Sequence, residues 1–226
     1  NTRLKAVDLI PVLSYIIYRG KCRYCGKNIS LQYPLVELGT ALSFVSVSYL
    51  SLTKFAFYST GLRILFTVYS LLVTALLIVI FVYDLQKYII PDSVLMLLLG
   101  IIVLGYIAGM FLGAYNASML LQGLLSGIGA AAPFLLVVLA SKGKWMGMGD
   151  VKLIFVMGFI LGWPQVVVAL FSAFVIGGIM GIGLIVSNKK ELESKLAFGP
   201  LLIIGTFIAW GWGSWILNWY LNYLYV

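Results

Sequence analysis

The sequence predicts an all-α fold, a polytopic membrane helix bundle with about seven transmembrane spans. Apolar residues make up 62% of the 226 positions and charged residues only 10%, a balance that excludes a soluble domain of this length. Apolar runs of about 20 residues, the length that crosses a bilayer, recur between short polar loops. Six runs are predicted to span the membrane: 34–53, 62–83, 93–115, 118–140, 165–187 and 199–225.

A shorter apolar run, 153–163, decides the topology. It is short for a full crossing, but counting it as one gives seven spans. All fifteen Lys and Arg residues except Lys54 and Arg63 then lie on one side of the membrane. Because Lys-rich and Arg-rich loops stay in the cytoplasm, we predict a cytoplasmic loop domain at 1–33 and a transmembrane bundle at 34–226.

The charge and the residue types present narrow the chemistry. The formal charge of +8 comes from basic residues in several short loops, so the bilayer is the expected partner and nucleic acid is not. The chain contains no histidine, which excludes Ser-His catalysis, Cys-His catalysis and histidine metal ligation. Carboxylates, lysines, hydroxyls and two cysteines remain.

Two aspartates are the candidate catalytic residues. Asp84 ends one long apolar run, and Asp150 follows a Gly-Met-Gly segment; the predicted topology puts both on the cytoplasmic side. Ionisable residues at membrane depth are costly and are usually functional, and two carboxyls that share a proton can activate a water molecule. The alternative for Asp84 is an interfacial residue paired with Lys87 three positions later.

The segment before Asp150 is predicted to be an unwound, water-accessible loop. Gly147 and Gly149 permit backbone conformations closed to other residues and leave room for an extended substrate strand. Lys152 lies just beyond Asp150 and is assigned to the same supporting loop.

A third aspartate has a structural explanation. Asp92 follows Pro91 directly before an apolar run, which is typical of the N-cap of a helix. Since Asn caps a helix about as well as Asp, this interpretation predicts that Asp92→Asn is tolerated.

Cys22 and Cys25 form a CxxC motif in the basic N-terminal loop. Two thiolates make half of a tetrahedral zinc site. Three interpretations remain open: a second pair upstream of this chain, two free thiols, or a redox pair. A cytoplasmic loop argues against a structural disulfide.

The motifs together resemble the bacterial type IV prepilin peptidases, the GxGD-type membrane aspartic proteases. The resemblance runs nearly end to end. It is carried by six segments in the same order: 10–15, 19–26, 29–30 with 33–38, Asp84 with 90–92, 147–152 and 198–200.

The resemblance implies an enzyme of the bacterial inner membrane that removes the leader peptide of type IV prepilins or pseudopilins at the cytoplasmic face. Asp84 and Asp150 match the family's catalytic aspartates, and proteolysis needs no cofactor. The family usually also methylates the new N-terminus with S-adenosylmethionine, and Gly20 and Lys21 match positions associated with that transfer. Cys22 and Cys25 match half of its zinc ribbon. Pilus assembly, type II secretion and DNA uptake all stay open as settings.

One departure and two alternatives accompany this interpretation. Family members of this type carry a further N-terminal span and a first CxxC, so we expect an eighth span upstream and a zinc site that is incomplete here. A presenilin-like intramembrane protease would carry Pro-Ala-Leu where this chain has Gly199-Pro200-Leu201. A small proton-coupled or cation-coupled transporter would also place aspartates in the membrane, but no inverted repeat is evident.

Overall fold

The computed structural model describes residues 5–186 and 197–224, and within them the chain is helical apart from its loops and one isolated β-bridge. The predicted all-α class is confirmed. The helices are α1 Leu13–Ile17, α2 Gln32–Lys54, α3 Thr60–Lys87, α4 Asp92–Phe111, α5 Ala117–Ser141, α6 Met148–Leu161, α7 Gln165–Val186 and α8 Gly199–Leu224.

Six helices have the length and hydropathy to cross a membrane: α2, α3, α4, α5, α7 and α8. They correspond to the six long apolar runs. The predicted seventh crossing is α6, which begins at Met148 and has 14 residues. At about 1.5 Å per residue it is about 21 Å long, shorter than the roughly 30 Å hydrocarbon core.

Four of the basic residues used for the topology, Arg3, Lys189, Lys190 and Lys195, lie outside the described residues.

The chain divides into two compact units, Asn1–Ala75 and Leu76–Val226. In the first unit, Lys21 and Asn28 form the β-bridge that closes the CxxC hairpin. The predicted boundary at residue 33 lies near the start of α2 at Gln32. A separate loop domain at 1–33 stays a prediction, because the first unit contains both this segment and α2.

The second unit is built around α6. This helix contacts α4, α5, α7 and α8, and its side chains are buried on all sides, among them Leu153, Ile154 and Met157. A helix that is apolar around its whole circumference belongs in the interior of a bundle. The helix that begins beside Asp150 is therefore the centre of its unit.

Glycines allow α5 and α6 to touch along their backbones. A Cβ atom added at Gly127 would lie 2.7 Å from the carbonyl oxygen of Phe155, and one added at Gly158 would lie 2.7 Å from the Cα of Gly127. On α8, Gly205 meets the carbonyl of Ala169 in the same way. Small residues permit such close approach between membrane helices.

We predict that Gly127→Ala destabilises the protein by about 1–3 kcal/mol, because the added methyl group must displace the backbone of α6. Gly129→Ala is the matched control on the same helix, where nothing lies within 4 Å of the added atom. The control should be neutral or stabilising by up to about 1 kcal/mol. Thermal unfolding in detergent measures both, and equal effects of the two substitutions would contradict the backbone contact.

Candidate active site

A cavity of about 1000 Å³ opens at one end of the second unit. Its wall is formed by the turn between α3 and α4, the loop between α5 and α6, the start of α6 and the two residues before α8, with side chains from α5 and α7. Both Asp84 and Asp150 line it, together with Gly147, Gly149 and Lys152. The structure thus brings together every residue that the sequence assigned to the catalytic pair and its supporting loop.

Asp150 lies in the first turn of α6, and Gly147 is the N-cap of that helix. The Asp150 carboxylate accepts a hydrogen bond from the backbone N–H of Gly147, which is the acidic half of a capping box. The prediction of an unwound loop at 147–150 is therefore wrong. An acidic residue in the first turn favours helix formation, and the irregular backbone lies earlier, at 142–147.

Asp84 lies in the last turn of α3, and it is only 4% exposed. Its carboxylate accepts a hydrogen bond from the backbone N–H of Gly199, the first residue of α8. A negative charge is unfavourable at the end of α3 but favourable at the start of α8. The alternative of an interfacial Asp84 paired with Lys87 does not fit a buried carboxylate that faces α8.

Gly199 is a site residue that the sequence did not single out. It appeared only within a family motif, although Gly-Pro before an apolar run is a recognisable helix start. A Cβ atom at Gly199 would lie 2.5 Å from Oδ2 of Asp84. Only glycine lets the N–H group of α8 reach this carboxylate.

Ile90 separates the two helix starts. This side chain is 8% exposed, and it packs between Gly149 and Gly199. A Cβ atom at Gly149 would lie 3.1 Å from Cβ of Ile90, and one at Gly199 would lie 3.3 Å from its Cδ1. The role of Gly149 is thus close packing rather than the predicted flexibility.

The turn between α3 and α4 has a strained backbone. Tyr88 adopts a positive φ of 55°, a conformation that bulky side chains disfavour. Its N–H donates to the carbonyl of Asp84 at 2.8 Å, which ends α3. Strain of this kind persists where neighbouring contacts determine the backbone.

Asp92 has a partner that the sequence did not indicate. It is the first residue of α4, whose N-cap is Pro91, and no side chain caps the helix. The carboxylate of Asp92 instead accepts two hydrogen bonds from Nζ of Lys152, at 2.7 and 2.9 Å. The N-cap interpretation of Asp92 is wrong, and the expected tolerance of Asp92→Asn loses its basis.

Aromatic rings form an apolar wall of the cavity. Phe174 stacks on Phe134, with ring centroids 5.9 Å apart, and lies 5.3 Å from the ring of Phe198. This wall offers apolar surface to a substrate beside the carboxylates.

The CxxC motif lies in the first unit. Backbone N–H groups of Tyr24 and Cys25 lower the pKa of the Cys22 thiol, which suits a metal ligand because the thiolate is the binding form. Gly20, just before the motif, has a φ of 71°, and a Cβ atom there would lie 2.8 Å from the Tyr15 hydroxyl. Among the residues that the structure describes, no three His, Cys, Asp or Glu side chains gather at one point. The residues therefore fit half of a zinc site.

An all-helical membrane protein that holds two neighbouring carboxylates in one cavity has the architecture of a membrane aspartic protease. Two family profiles match the chain. Residues 1–51 match the bacterial peptidase A24 N-terminal domain, and residues 71–182 match the type IV leader peptidase family.

Curated relatives agree with these matches. The chain is 34% identical to the prepilin leader peptidase/N-methyltransferase of Aeromonas hydrophila, over 98% of this chain and 72% of that protein. It is 33% identical to the protein of that name from Legionella pneumophila, over 97% and 72%, and 30% identical to the one from Bacillus subtilis strain 168, over 97% and 82%. No solved structure matches the chain significantly.

The chain belongs to the type IV leader peptidase family. The family that the sequence motifs resembled is thereby confirmed.

Proposed function

We propose that this protein is a prepilin peptidase in which Asp84 and Asp150 cleave the leader peptide of type IV prepilins or pseudopilins. Its membership of the family and the names of its relatives support the substrate class. The observation that carries the assignment of residues is the pairing of two carboxylates, each bonded to a backbone N–H at a helix start, within one cavity.

The two carboxylates divide the acid and base roles. Both carboxyls line the same cavity, and two carboxyls that interact at close range favour a state in which one is protonated and the other ionised. The ionised carboxylate takes a proton from a water molecule, whose oxygen attacks the carbonyl carbon of the scissile bond. The protonated carboxyl donates its proton to the carbonyl oxygen.

The tetrahedral intermediate then collapses, and the proton held by the first carboxylate passes to the leaving nitrogen as the C–N bond breaks. The hydroxyl proton on the intermediate returns to the second carboxyl. Atoms and charges balance without any further group, so proteolysis needs only the pair and water.

The location of the cavity supports cleavage at the membrane surface. The loop between α5 and α6 borders it and carries Lys144 and Trp145, of which Trp145 is 81% exposed. Lys87 ends α3, Lys142 directly follows α5 and Lys152 lies near the start of α6. By the positive-inside rule this end of the bundle faces the cytoplasm of a bacterial inner membrane.

The N-terminal unit supports a second activity. Gly20 and Lys21 match positions linked in the family to methyl transfer, and the relatives' names include N-methyltransferase. We propose S-adenosylmethionine as the methyl donor and structural zinc on Cys22 and Cys25, completed by further ligands. The presenilin-like and transporter alternatives are not favoured by the family match.

Replacing either aspartate should abolish leader cleavage. Asp84→Asn and Asp150→Asn each remove a carboxyl that general acid-base chemistry requires, so each should lower the rate by at least about 10²-fold with thermal stability near wild type. Asp8→Asn, the same substitution in the other unit, is the matched control. Near-wild-type cleavage of a prepilin peptide by either active-site variant would contradict the assignment.

Leader cleavage should follow a bell-shaped pH profile. At low pH both carboxyls are protonated and no base remains, whereas at high pH both are ionised and no acid remains. The two apparent pKa values belong to the pair rather than to either residue. Initial rates of the purified protein across the acidic to alkaline range measure the profile, and a flat profile would argue against a shared proton.

Zinc binding to this chain should be weak, because two thiolates fill only two of four tetrahedral positions. Metal analysis of the purified monomer is expected to give less than one zinc per chain. Cys22→Ser should impair methyl transfer more than leader cleavage, since the cysteine and the catalytic aspartates lie in different units. One tightly bound zinc per monomer would overturn this account of the motif.

A further inference from the structure

An ion pair connects two helix starts at the cavity. Nζ of Lys152 lies 2.7 and 2.9 Å from the two carboxylate oxygens of Asp92, and both residues line the cavity. Asp84 lies in the last turn of α3, and Asp92 begins α4 after the short turn that joins the two helices. Lys152 lies two positions after Asp150 on α6. The pair therefore joins the two segments that carry the catalytic carboxylates.

This ion pair contributes little to overall stability. The side chains of Lys152 and Asp92 are 42% and 65% exposed, and solvent screens such pairs strongly. Farther along, α4 and α6 are already held together by the Tyr106 ring, which stacks on Phe159 at 5.2 Å and donates a hydrogen bond to its carbonyl. Loss of the ion pair should leave the bundle folded.

Lys152 does not act on Asp150 by direct contact. Side chains two positions apart on a helix do not face each other, and both carboxylate oxygens of Asp92 bind the Lys152 ammonium. The nearby charge that acts on Asp150 is that of Asp84. An effect of Lys152 on catalysis must therefore pass through the position of the α6 first turn.

We propose that Asp92 and Lys152 are positioning residues, whose ion pair holds the turn between α3 and α4 against α6 and so sets the separation of Asp84 and Asp150. This inference rests on the proposed function, in which those two aspartates are catalytic. Ile90 holds the same turn from the interior, and the ion pair holds it at the outer edge. With contacts at two separate points, the turn between α3 and α4 cannot rotate relative to α6, as it could if only one contact held it.

The test measures kcat and KM for cleavage of a prepilin peptide by Asp92→Asn, Lys152→Gln and the double variant. Each single substitution should lower kcat by about tenfold, since small misplacement of reacting groups is costly, while KM and Tm stay near wild type. The double variant should be no slower than either single one, because the two side chains act as a unit. Lys152→Arg should retain most of kcat, since a guanidinium also binds a carboxylate in bidentate fashion.

The pH profile separates positioning from a general loss of structure. When the two carboxylates move apart, their coupling weakens and the two apparent pKa values approach each other. The bell-shaped pH profile of leader cleavage should therefore be narrower for Asp92→Asn and for Lys152→Gln than for the wild type. Lys87→Gln removes the same charge from the end of α3, outside the cavity wall, and should leave both kcat and the width of the bell unchanged.

Wild-type kcat in either single variant, additive losses in the double variant, or a bell of unchanged width would overturn the inference. Asp84→Asn and Asp150→Asn are assayed in parallel. If these two variants still cleave, the proposed function has failed. If they are inactive while the ion-pair variants cleave at the wild-type rate, only the positioning role has failed.

Discussion

The rest of the second unit depends on one electrostatic constraint, the placement of two carboxyl groups in one cavity of an apolar bundle. A buried carboxylate is costly unless it is hydrogen-bonded, and a second one nearby adds repulsion. Each carboxylate accepts a hydrogen bond from a backbone N–H at the start of a helix, and this bond offsets part of the cost. The donor is Gly147 for Asp150 and Gly199 for Asp84. The positive ends of α6 and α8 thus hold the pair.

This constraint explains where glycine is required. The Asp84 carboxylate approaches the start of α8 so closely that a Cβ atom at Gly199 would lie 2.5 Å from Oδ2 of Asp84, so this position requires glycine. The absence of a side chain at Gly149 leaves room for Ile90, which packs between the starts of α6 and α8. The close backbone contact of α5 with α6 at Gly127 and Gly158 holds α6 in the interior. Catalytic geometry and helix packing therefore both rest on glycines, at different positions of the same unit.

The sequence predicted the fold class, the six long spans and both catalytic candidates, because hydrophobic length and isolated carboxylates are strong local signals. The sequence-based predictions were wrong where contacts between distant residues determine the local structure. The Gly-Met-Gly-Asp segment looked like a loop from its glycines, but the capping bond of Asp150 begins a helix there. Asp92 looked like an N-cap until the fold brought Lys152, sixty positions away, within 2.7 Å. The link from Gly199 to Asp84 likewise joins residues far apart in sequence.

The most direct test of this account is the rate of leader cleavage by Gly199→Ala. The added methyl group would occupy the position of the Asp84 carboxylate, so the account predicts a loss of about 10²-fold or more. Gly178→Ala, on α7 with nothing within 4 Å of the new atom, should cleave at the wild-type rate. A Gly199→Ala protein that cleaves prepilin as fast as wild type would contradict the claim that the start of α8 positions the catalytic pair.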